Sequence, residues 1–346
     1  MLYLKSRPIA RWFLSLVLML CMNFYGISQD IHYSQFYNSP FNINPALTGI
    51  FNGDVRFAAN YRSQWYVDNL GRYMTFTASA DMKFYPQDRS KNNFWSGGLL
   101  FNYDVAGDGK LALGHLGLSG GYTTKFLDNN FLTLGGLVGV SQRRFKLEDL
   151  LWDNQWNGFQ VDPSRPTGEN FDNTSNVFLD VSAGFNWRWQ QTARTKFDIG
   201  MGAFHLNRPS QSFYINSTED NLPNRFSAHF ISSWQLGSAF DILVHGNAQW
   251  QGPYEEYVIG AFAKIYLNQR RGQEFALSLG SGYRFGDAVI PKIALDLGPW
   301  HGEFSYDINI SDFDVATRGR GGPEFSIIYI ITKVPSMGAF KTCPLY

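Results

Sequence analysis

The sequence has few cysteines, few charged residues and no long apolar run after its N-terminal stretch. Its 346 residues include two cysteines, and 17% of the residues are charged, compared with the usual ~25%. Cys21 lies in the N-terminal apolar stretch, so removal of that stretch leaves Cys343 without an internal disulfide partner and argues against a cysteine-based metal site. Equal numbers of basic and acidic residues, 29 each, argue against a basic nucleic-acid-binding surface. After Met22 the sequence offers no transmembrane helix.

The first 28 residues have the organisation of a secretion signal. Lys5, Arg7 and Arg11 form a basic start, residues 12–22 form an apolar stretch, and small residues precede Gln29. The sequence predicts cleavage between Ser28 and Gln29, with an uncleaved anchor as the alternative. The apolar stretch is too short to cross a bilayer as a helix, which takes roughly 20 residues.

What the chain does contain is one-for-one alternation of apolar and polar residues, the pattern of a strand with two different faces. In residues 176–190, Val177, Leu179 and Phe185 alternate with Asp180, Asn186 and Arg188. The whole chain divides into fourteen such runs: 54–65, 72–85, 94–104, 111–124, 131–146, 176–190, 195–207, 224–237, 239–250, 255–268, 273–286, 289–298, 301–311 and 322–332.

The length and number of these runs predict an all-β fold, a transmembrane antiparallel barrel of about fourteen strands spanning residues 54–332. Most runs reach the ~9–11 residues that cross a bilayer at a tilt, and an even strand number closes bacterial outer-membrane barrels. Long connections at 147–175, 208–223 and 312–321 alternate with mostly short ones, as expected for extracellular loops and periplasmic turns. A soluble β-sandwich or propeller is the alternative, but aromatic residues near the strand ends, such as Trp187, Trp250 and Trp300, are typical of membrane-interface girdles.

The polar face of the predicted strands carries charges of both signs. Its principal members are Arg56, Arg62, Asp81, Arg143, Asp180 and Arg188. We expect these groups to pair and fill the lumen; a selective conducting pore is the alternative.

The segments before and after the barrel break the alternation. Residues 29–53 carry several aromatic residues, two prolines and repeated asparagines, including Tyr33, Ser34, Gln35, Phe36, Asn44 and Pro45. We expect a periplasmic or luminal segment that packs on the periplasmic rim, enters the lumen as a plug or serves as a docking epitope. Residues 333–346 are predicted to form a periplasmic tail.

Motifs for chemistry are weak. Residues 117–121 match the G-x-S-x-G nucleophile elbow, but they lie within a predicted strand rather than a strand-turn-helix unit. The six histidines are scattered and form no H-E-x-x-H motif. We therefore predict a protein that is not an enzyme and uses no cofactor or metal.

Several segments resemble the PorP/SprF family. They are residues 29–40 (QDIHYSQFYNSP), 44–49 (NPALTG), 61–65 (YRSQW), 204–209 (FHLNRP) and Cys343-Pro344. The resemblance implies an outer-membrane barrel of a Bacteroidota-type bacterium that belongs to the type IX secretion and gliding-motility machinery. It also implies partners: surface adhesins with a type B C-terminal domain and other secretion components in the outer membrane and periplasm. This chain ends in Leu345-Tyr346, where the family usually has Arg and Phe, so the specificity of the tail could differ.

The predicted function is therefore an accessory subunit that helps to export or anchor such an adhesin. Trp152, Trp156 and Phe159 in the longest predicted loop are the candidate cargo-binding residues, because aromatic residues dominate many interfaces; alternatively they pack the loop over its own barrel. The alternative function is a channel for hydrophobic small molecules, similar to the fatty-acid transporters, with an N-terminal hatch containing Asn44-Pro45-Ala46.

Overall fold

The protein forms a closed antiparallel barrel of fourteen strands in a computed structural model. The structure describes residues 30–64, 73–86, 93–107, 109–147, 150–169, 171–214, 221–270, 273–311 and 319–332. The strands are β1 Val55–Gln64, β2 Tyr73–Phe84, β3 Phe94–Ala106, β4 Leu111–Leu127, β5 Asn130–Arg144, β6 Ser175–Gln190, β7 Lys196–Phe204, β8 Arg225–Gln235, β9 Phe240–Gln251, β10 Tyr254–Asn268, β11 Phe275–Arg284, β12 Ala288–Leu297, β13 Trp300–Asn309 and β14 Arg320–Ile331.

Each strand pairs with its neighbours in sequence, and the first strand pairs with the last. In the closing ladder Val55 of β1 lies opposite Ile331 of β14, and Arg62 lies opposite Glu324. Closure leaves the sheet without an edge strand. This is necessary in lipid because unpaired backbone N–H and C=O groups would find no water to form hydrogen bonds with. The fold class, the strand count and all fourteen predicted runs are confirmed, with strand ends that differ by a few residues.

The alternation in the sequence becomes an inner and an outer face. In β6, Val177, Leu179 and Phe185 are exposed on the outer face, whereas Asp180 and Asn186 are buried on the inner face. The described residues contain no helix that is long and apolar enough to cross a membrane.

The two ends of the barrel differ. The long connections β5–β6 and β7–β8 lie at one end, which we call the long-loop end, together with the β13–β14 connection. The opposite, short-turn end carries the turns β4–β5, β6–β7, β8–β9 and β12–β13, and it is also where β1 begins and β14 ends.

Strand β7 is the shortest strand and stops below the long-loop end. His205 and Arg208 follow it with φ values of +57° and +43°, a conformation that bends the chain out of a strand. Beyond β7, the side chain of Asn207 replaces a strand neighbour: its Nδ2 donates to Leu179 O at 2.7 Å, and its Oδ1 accepts from Val181 N at 3.1 Å. The FHLNRP motif therefore ends β7 and completes the hydrogen bonds of the neighbouring strand β6.

Three sequence predictions fall outside the described residues. They are the signal segment 1–28 with its cleavage site at Ser28 and Gln29, the tail 333–346 with Cys343, and Trp65 of the YRSQW motif.

Candidate functional site

The interior of the barrel holds residues 31–51, which we call the luminal segment. Nearly all of these residues are buried, and they form short helical turns at Phe36–Asn38, Pro40–Ile43 and Pro45–Leu47. Proline begins the second and third turns, because an N–H group at the first position of a helical turn would have no partner within the turn. The Asn44 side chain accepts from Ala46 N at 2.9 Å and caps the third turn.

Buried charges hold the start of the luminal segment near the long-loop end. The Glu324 carboxylate accepts the backbone N–H groups of Ser34 and Gln35 at 2.8 and 2.7 Å. Arg62 donates to His32 O at 2.8 Å and pairs with Asp307 at 2.8 Å. Because β14 runs from the long-loop end to the short-turn end, Glu324 near its beginning places Ser34 in the half of the lumen next to the long loops.

Glycines on the inner face make room for the middle of the luminal segment. Asn44 Nδ2 donates to Phe185 O of β6 at 2.8 Å, and a Cβ at Gly184 would collide with the Asn44 side chain. A Cβ at Gly135 would lie 2.5 Å from Ala46 Cα. These glycines are therefore required by the close approach of a second backbone.

The end of the luminal segment lies near the short-turn end. Asp81 accepts from Gly49 N at 2.7 Å and forms a two-point ion pair with Arg56, with distances of 2.9 and 2.8 Å. Arg56 also donates to Leu47 O at 3.2 Å. A charged pair on the strands thus fixes the point where the luminal segment turns into β1.

The remaining predicted luminal charges occupy different surroundings. Arg188 forms a two-point ion pair with Asp198 at 2.7 and 2.8 Å. Asp180 lies 3.0 Å from the Nδ1 of His205, at the end of β7. Arg143 is half-buried near the long-loop end of β5. Arg188 also donates to Ile50 O of the luminal segment at 3.5 Å. The structure thus brings Arg56, Arg62, Asp81 and Arg188 to this segment, whereas Asp180 contacts the end of β7 and Arg143 lies at the long-loop end of β5.

Two tyrosines of the luminal segment donate hydrogen bonds to the barrel wall, Tyr33 from a buried position and Tyr37 from a half-buried one. Tyr33 donates to Thr77 Oγ1 at 2.8 Å, and Tyr37 donates to Glu303. Burial raises the pKa of both phenols well above the usual value, and the charge of Glu303 raises that of Tyr37 further. Both hydroxyls stay protonated at physiological pH and remain donors.

The longest loop folds into a small hairpin at residues 156–161, which we call the Phe159 hairpin. Trp156 forms a bridge with Val161, and its carbonyl accepts from Arg165 at 2.6 Å. The Asn157 side chain accepts from the N–H groups of Phe159 and Gln160, both at 2.9 Å. This turn presents Phe159 at 93% exposure and Trp156 at 52% exposure.

Trp152, the third candidate residue of this loop, does not join the hairpin surface. Its ring lies 5.9 Å from that of Phe171, which also contacts Phe145 at 4.9 Å. Phe145 in turn contacts Phe213 of the β7–β8 connection at 4.7 Å. The sequence hypothesis grouped three aromatic residues, whereas the structure separates an exposed pair from one that packs the two long loops together.

Sequence reasoning missed several residues that hold the luminal segment. Glu324, Asp307 and Arg284 form one buried cluster, with Arg284 and Asp307 2.9 Å apart. A signal was available for Glu324, since it is the one charge in the otherwise apolar and small run 321–331. Alternation alone would have placed it on the inner face.

The described residues show no group of three histidine, cysteine or acidic side chains that could hold a metal ion. Ser119 of the G-x-S-x-G match lies in β4, where its hydroxyl contacts Thr48 Oγ1 at 2.5 Å and donates to Gly136 O at 3.2 Å. Its hydrogen bonds join the luminal segment to the barrel wall.

A protein-family model matches most of the chain. The family model described as type IX secretion system membrane protein PorP/SprF matches residues 26–329. No curated protein sequence matches the chain.

Among solved structures, the chain is similar to the toluene transporter TbuX of Ralstonia pickettii, with 11% identity, a TM-score of 0.47 and coverage of 83% of this chain and 91% of that chain. It is also similar to a Pseudomonas aeruginosa FadL homologue, with 9% identity, a TM-score of 0.47 and coverage of 83% and 92%. Because the family match extends over most of the sequence, the chain belongs to the PorP/SprF family of type IX secretion membrane proteins and is an outer-membrane β-barrel of that system.

Proposed function

We propose that this barrel anchors a large surface adhesin with a type B C-terminal domain and performs no enzymatic turnover. In this proposal the long-loop end faces the cell exterior, as in other outer-membrane barrels, and the short-turn end faces the periplasm. The Phe159 hairpin contacts the adhesin, and the luminal segment is a plug that keeps the barrel closed while the cargo is held.

The observation that carries the proposal is the ordered, exposed pair Trp156 and Phe159. Large exposed aromatic residues are typical centres of interfaces, and a loop that is already ordered loses little conformational entropy on binding. The hairpin is ordered by its own hydrogen bonds, from the Asn157 turn to the Arg165 contact. It therefore offers a preformed apolar surface to a protein partner.

The contents of the lumen support an anchor over the alternative, a channel for hydrophobic small molecules. Such a channel needs an apolar path, whereas Arg62, Asp307 and Glu324 are buried beside the luminal segment. Moving the segment would leave these charges without its hydrogen bonds, at a cost of roughly 1.5–3 kcal/mol for each bond to a charged group.

The test removes the hairpin without disturbing the strands. Replacing residues 150–169 by a short Gly-Ser linker in the native host should leave the barrel in the outer membrane and release the adhesin into the medium. The readout is the fraction of adhesin in the medium and on the cells. Retention of the adhesin on cells at the normal level would contradict the proposal.

Point substitutions sharpen this test. The double substitution of Trp156 and Phe159 by alanine should release the adhesin to a similar extent, because it removes the two exposed rings. Leu151→Ala is the matched control, since Leu151 is 70% exposed in the same loop but lies outside the hairpin. Equal release by both variants would assign the effect to the loop as a whole and argue against the hairpin.

A further inference from the structure

Two adjoining cavities open at the short-turn end of the lumen. The larger, of about 510 Å³, is lined by Ala193 and Arg194 of the β6–β7 turn. The smaller, of about 340 Å³, is lined by Gly53 and by Thr332 after β14. Ile50, Phe51, Asn52 and Arg188 line both. We call the two cavities together the vestibule; each has the size of a binding pocket for a small organic group or a few side chains.

Most cations of the vestibule have carboxylate partners. Arg188 pairs with Asp198 at 2.7 Å, Arg194 pairs with Asp241 at 2.6 Å, and Lys264 pairs with Asp296 at 2.8 Å. These charges are neutralised within the protein and need no ligand.

Two lysines lack such a partner. Among the described residues, the Lys196 ammonium group in the larger cavity has no hydrogen-bond partner and no carboxylate within 4.0 Å. Lys83 in the smaller cavity donates to Phe51 O at 2.5 Å and lies 4.6 Å from the Phe51 ring centroid, again with no carboxylate within 4.0 Å among the described residues. Carboxylates act on these lysines without forming an ion pair, Asp198 on Lys196 and Asp54 and Asp81 on Lys83, but the positive charges of Arg188 and Arg56 oppose them. The vestibule is therefore rich in positive charge around both ammonium groups, which favours an anionic ligand.

The walls between these charges are largely apolar. They include Leu47, Ile231, Leu243, Phe262, Ile328 and Ile330 in the larger cavity, and Phe94 and Phe131 in the smaller one. A small inorganic anion would satisfy a lysine but would leave these surfaces uncovered. The lining fits a ligand that carries both carboxylate and apolar groups.

We propose that the vestibule binds an acidic segment of a periplasmic partner protein, with carboxylates at Lys83 and Lys196 and apolar side chains against the walls. This inference rests on the proposed orientation, in which the short-turn end faces the periplasm. A polypeptide segment fits better than a single small molecule, because the two lysines face separate cavities on either side of residues 50–52. The barrel would then contact its cargo at one end and the periplasmic machinery at the other.

The test places a photo-reactive benzophenone amino acid at Leu243, inside the larger cavity, in cells of the native host. Irradiation should crosslink it to a periplasmic protein, and mass spectrometry should map the crosslink to a segment that contains Asp or Glu. A benzophenone at Leu279, which is 51% exposed on the outer face of β11, is the matched control and should not give this crosslink.

Charge substitutions decide whether the lysines bind the segment. Lys196→Glu and Lys83→Glu should each lower the Leu243 crosslink at least tenfold, and Lys196→Gln should lower it less, because it removes the attraction without adding repulsion. A synthetic peptide of the mapped segment should bind the purified wild-type barrel and not the Lys196→Glu variant. Lys125→Glu is the control, since Lys125 lies near the same end but pairs with Asp128 at 2.9 Å and does not line the vestibule.

Several outcomes would overturn the inference: no crosslink at Leu243 in a correctly folded barrel, a crosslink to lipid or to the tail of this chain, or a crosslink that is insensitive to both charge reversals. Heat-dependent migration on SDS gels verifies that each variant folds. Adhesin retention is measured on the same cells, so failure of this inference is distinguishable from failure of the proposed anchoring function.

Discussion

Single inward-facing residues of the barrel contact and accommodate the luminal segment. Glu324 of β14 is fully buried, and its carboxylate accepts two backbone N–H groups of the luminal segment. Gly135 serves the same segment by having no side chain. The two residues show the two requirements of the interface: a charge that binds the segment and space that admits it.

Glu324→Gln should loosen the start of the luminal segment. The substitution replaces a charged acceptor of two N–H groups by a neutral one, which should cost about 2 kcal/mol of local stability. Faster hydrogen exchange at Ser34 and Gln35 in the detergent-solubilised barrel would show this. Glu255→Gln is the control, since Glu255 is exposed and accepts a hydrogen bond from Tyr257 of its own strand. Unchanged exchange in Glu324→Gln would contradict the assigned role.

Neighbouring glycines give a second test. Gly135→Val should displace the luminal segment because its Cβ would lie 2.5 Å from Ala46 Cα, and overpacking of this kind typically costs 1–3 kcal/mol. Gly136→Val should be tolerated, since a Cβ there has Ser182 O at 3.7 Å as its nearest neighbour. Protease cleavage within residues 31–51 should rise in the first variant alone; equal cleavage in both would contradict the close contact.

At the scale of elements, the periodicity of the sequence predicts the repeated strands and does not predict the luminal segment, which has no repeat. Alternation located every strand because each one separates lipid from a polar interior, and a one-residue slip would expose charges such as Asp180 to lipid. It could not place the luminal segment, whose turns follow no period and whose position depends on distant residues such as Glu324 and Gly184. It also predicted β7 to residue 207, whereas the strand ends at Phe204, because His205 has a φ of +57° that ends the extended conformation. Beyond it, the Leu206 N–H still donates to Val181 O, and Asn207 bonds to β6 through its side chain.

The contact between the Asn207 side chain and the backbone of β6 can be tested separately. Asn207→Ala removes two hydrogen bonds to β6, and we expect a loss of about 1 kcal/mol of local stability, or a roughly fivefold faster hydrogen exchange at Val181. The amide of Gly184, where β6 pairs with β7 in a regular ladder, is the internal reference. No change at Val181 would show that the side-chain contact contributes nothing.

At the scale of the whole molecule, the luminal segment lies inside the barrel, and the two ends of the barrel carry different connections. The wild-type barrel in a planar bilayer should therefore show little ion conductance, because residues 31–51 occupy its interior. Gly135→Trp, which displaces the segment, should raise the conductance several-fold. A large steady conductance of the wild-type barrel would contradict a closed lumen.

The family, the fold and the outer-membrane location follow from strand periodicity together with a few motifs, whereas the proposed partner-binding surfaces do not. Phe159 and Trp156 could be nominated from sequence, yet only the fold of their loop separates them from Trp152. Lys83 and Lys196 carry no sequence signal, since their lack of a carboxylate partner depends on which strands face each other across the lumen.

The central claim is that the barrel holds an adhesin. Gentle purification of the protein from native outer membranes, followed by quantitative identification of what comes with it, tests this claim most directly. We expect near-stoichiometric recovery of a large adhesin with a type B C-terminal domain, and loss of this adhesin when residues 150–169 are removed. A barrel recovered with lipid alone, or an adhesin that remains bound without the loop, would contradict it.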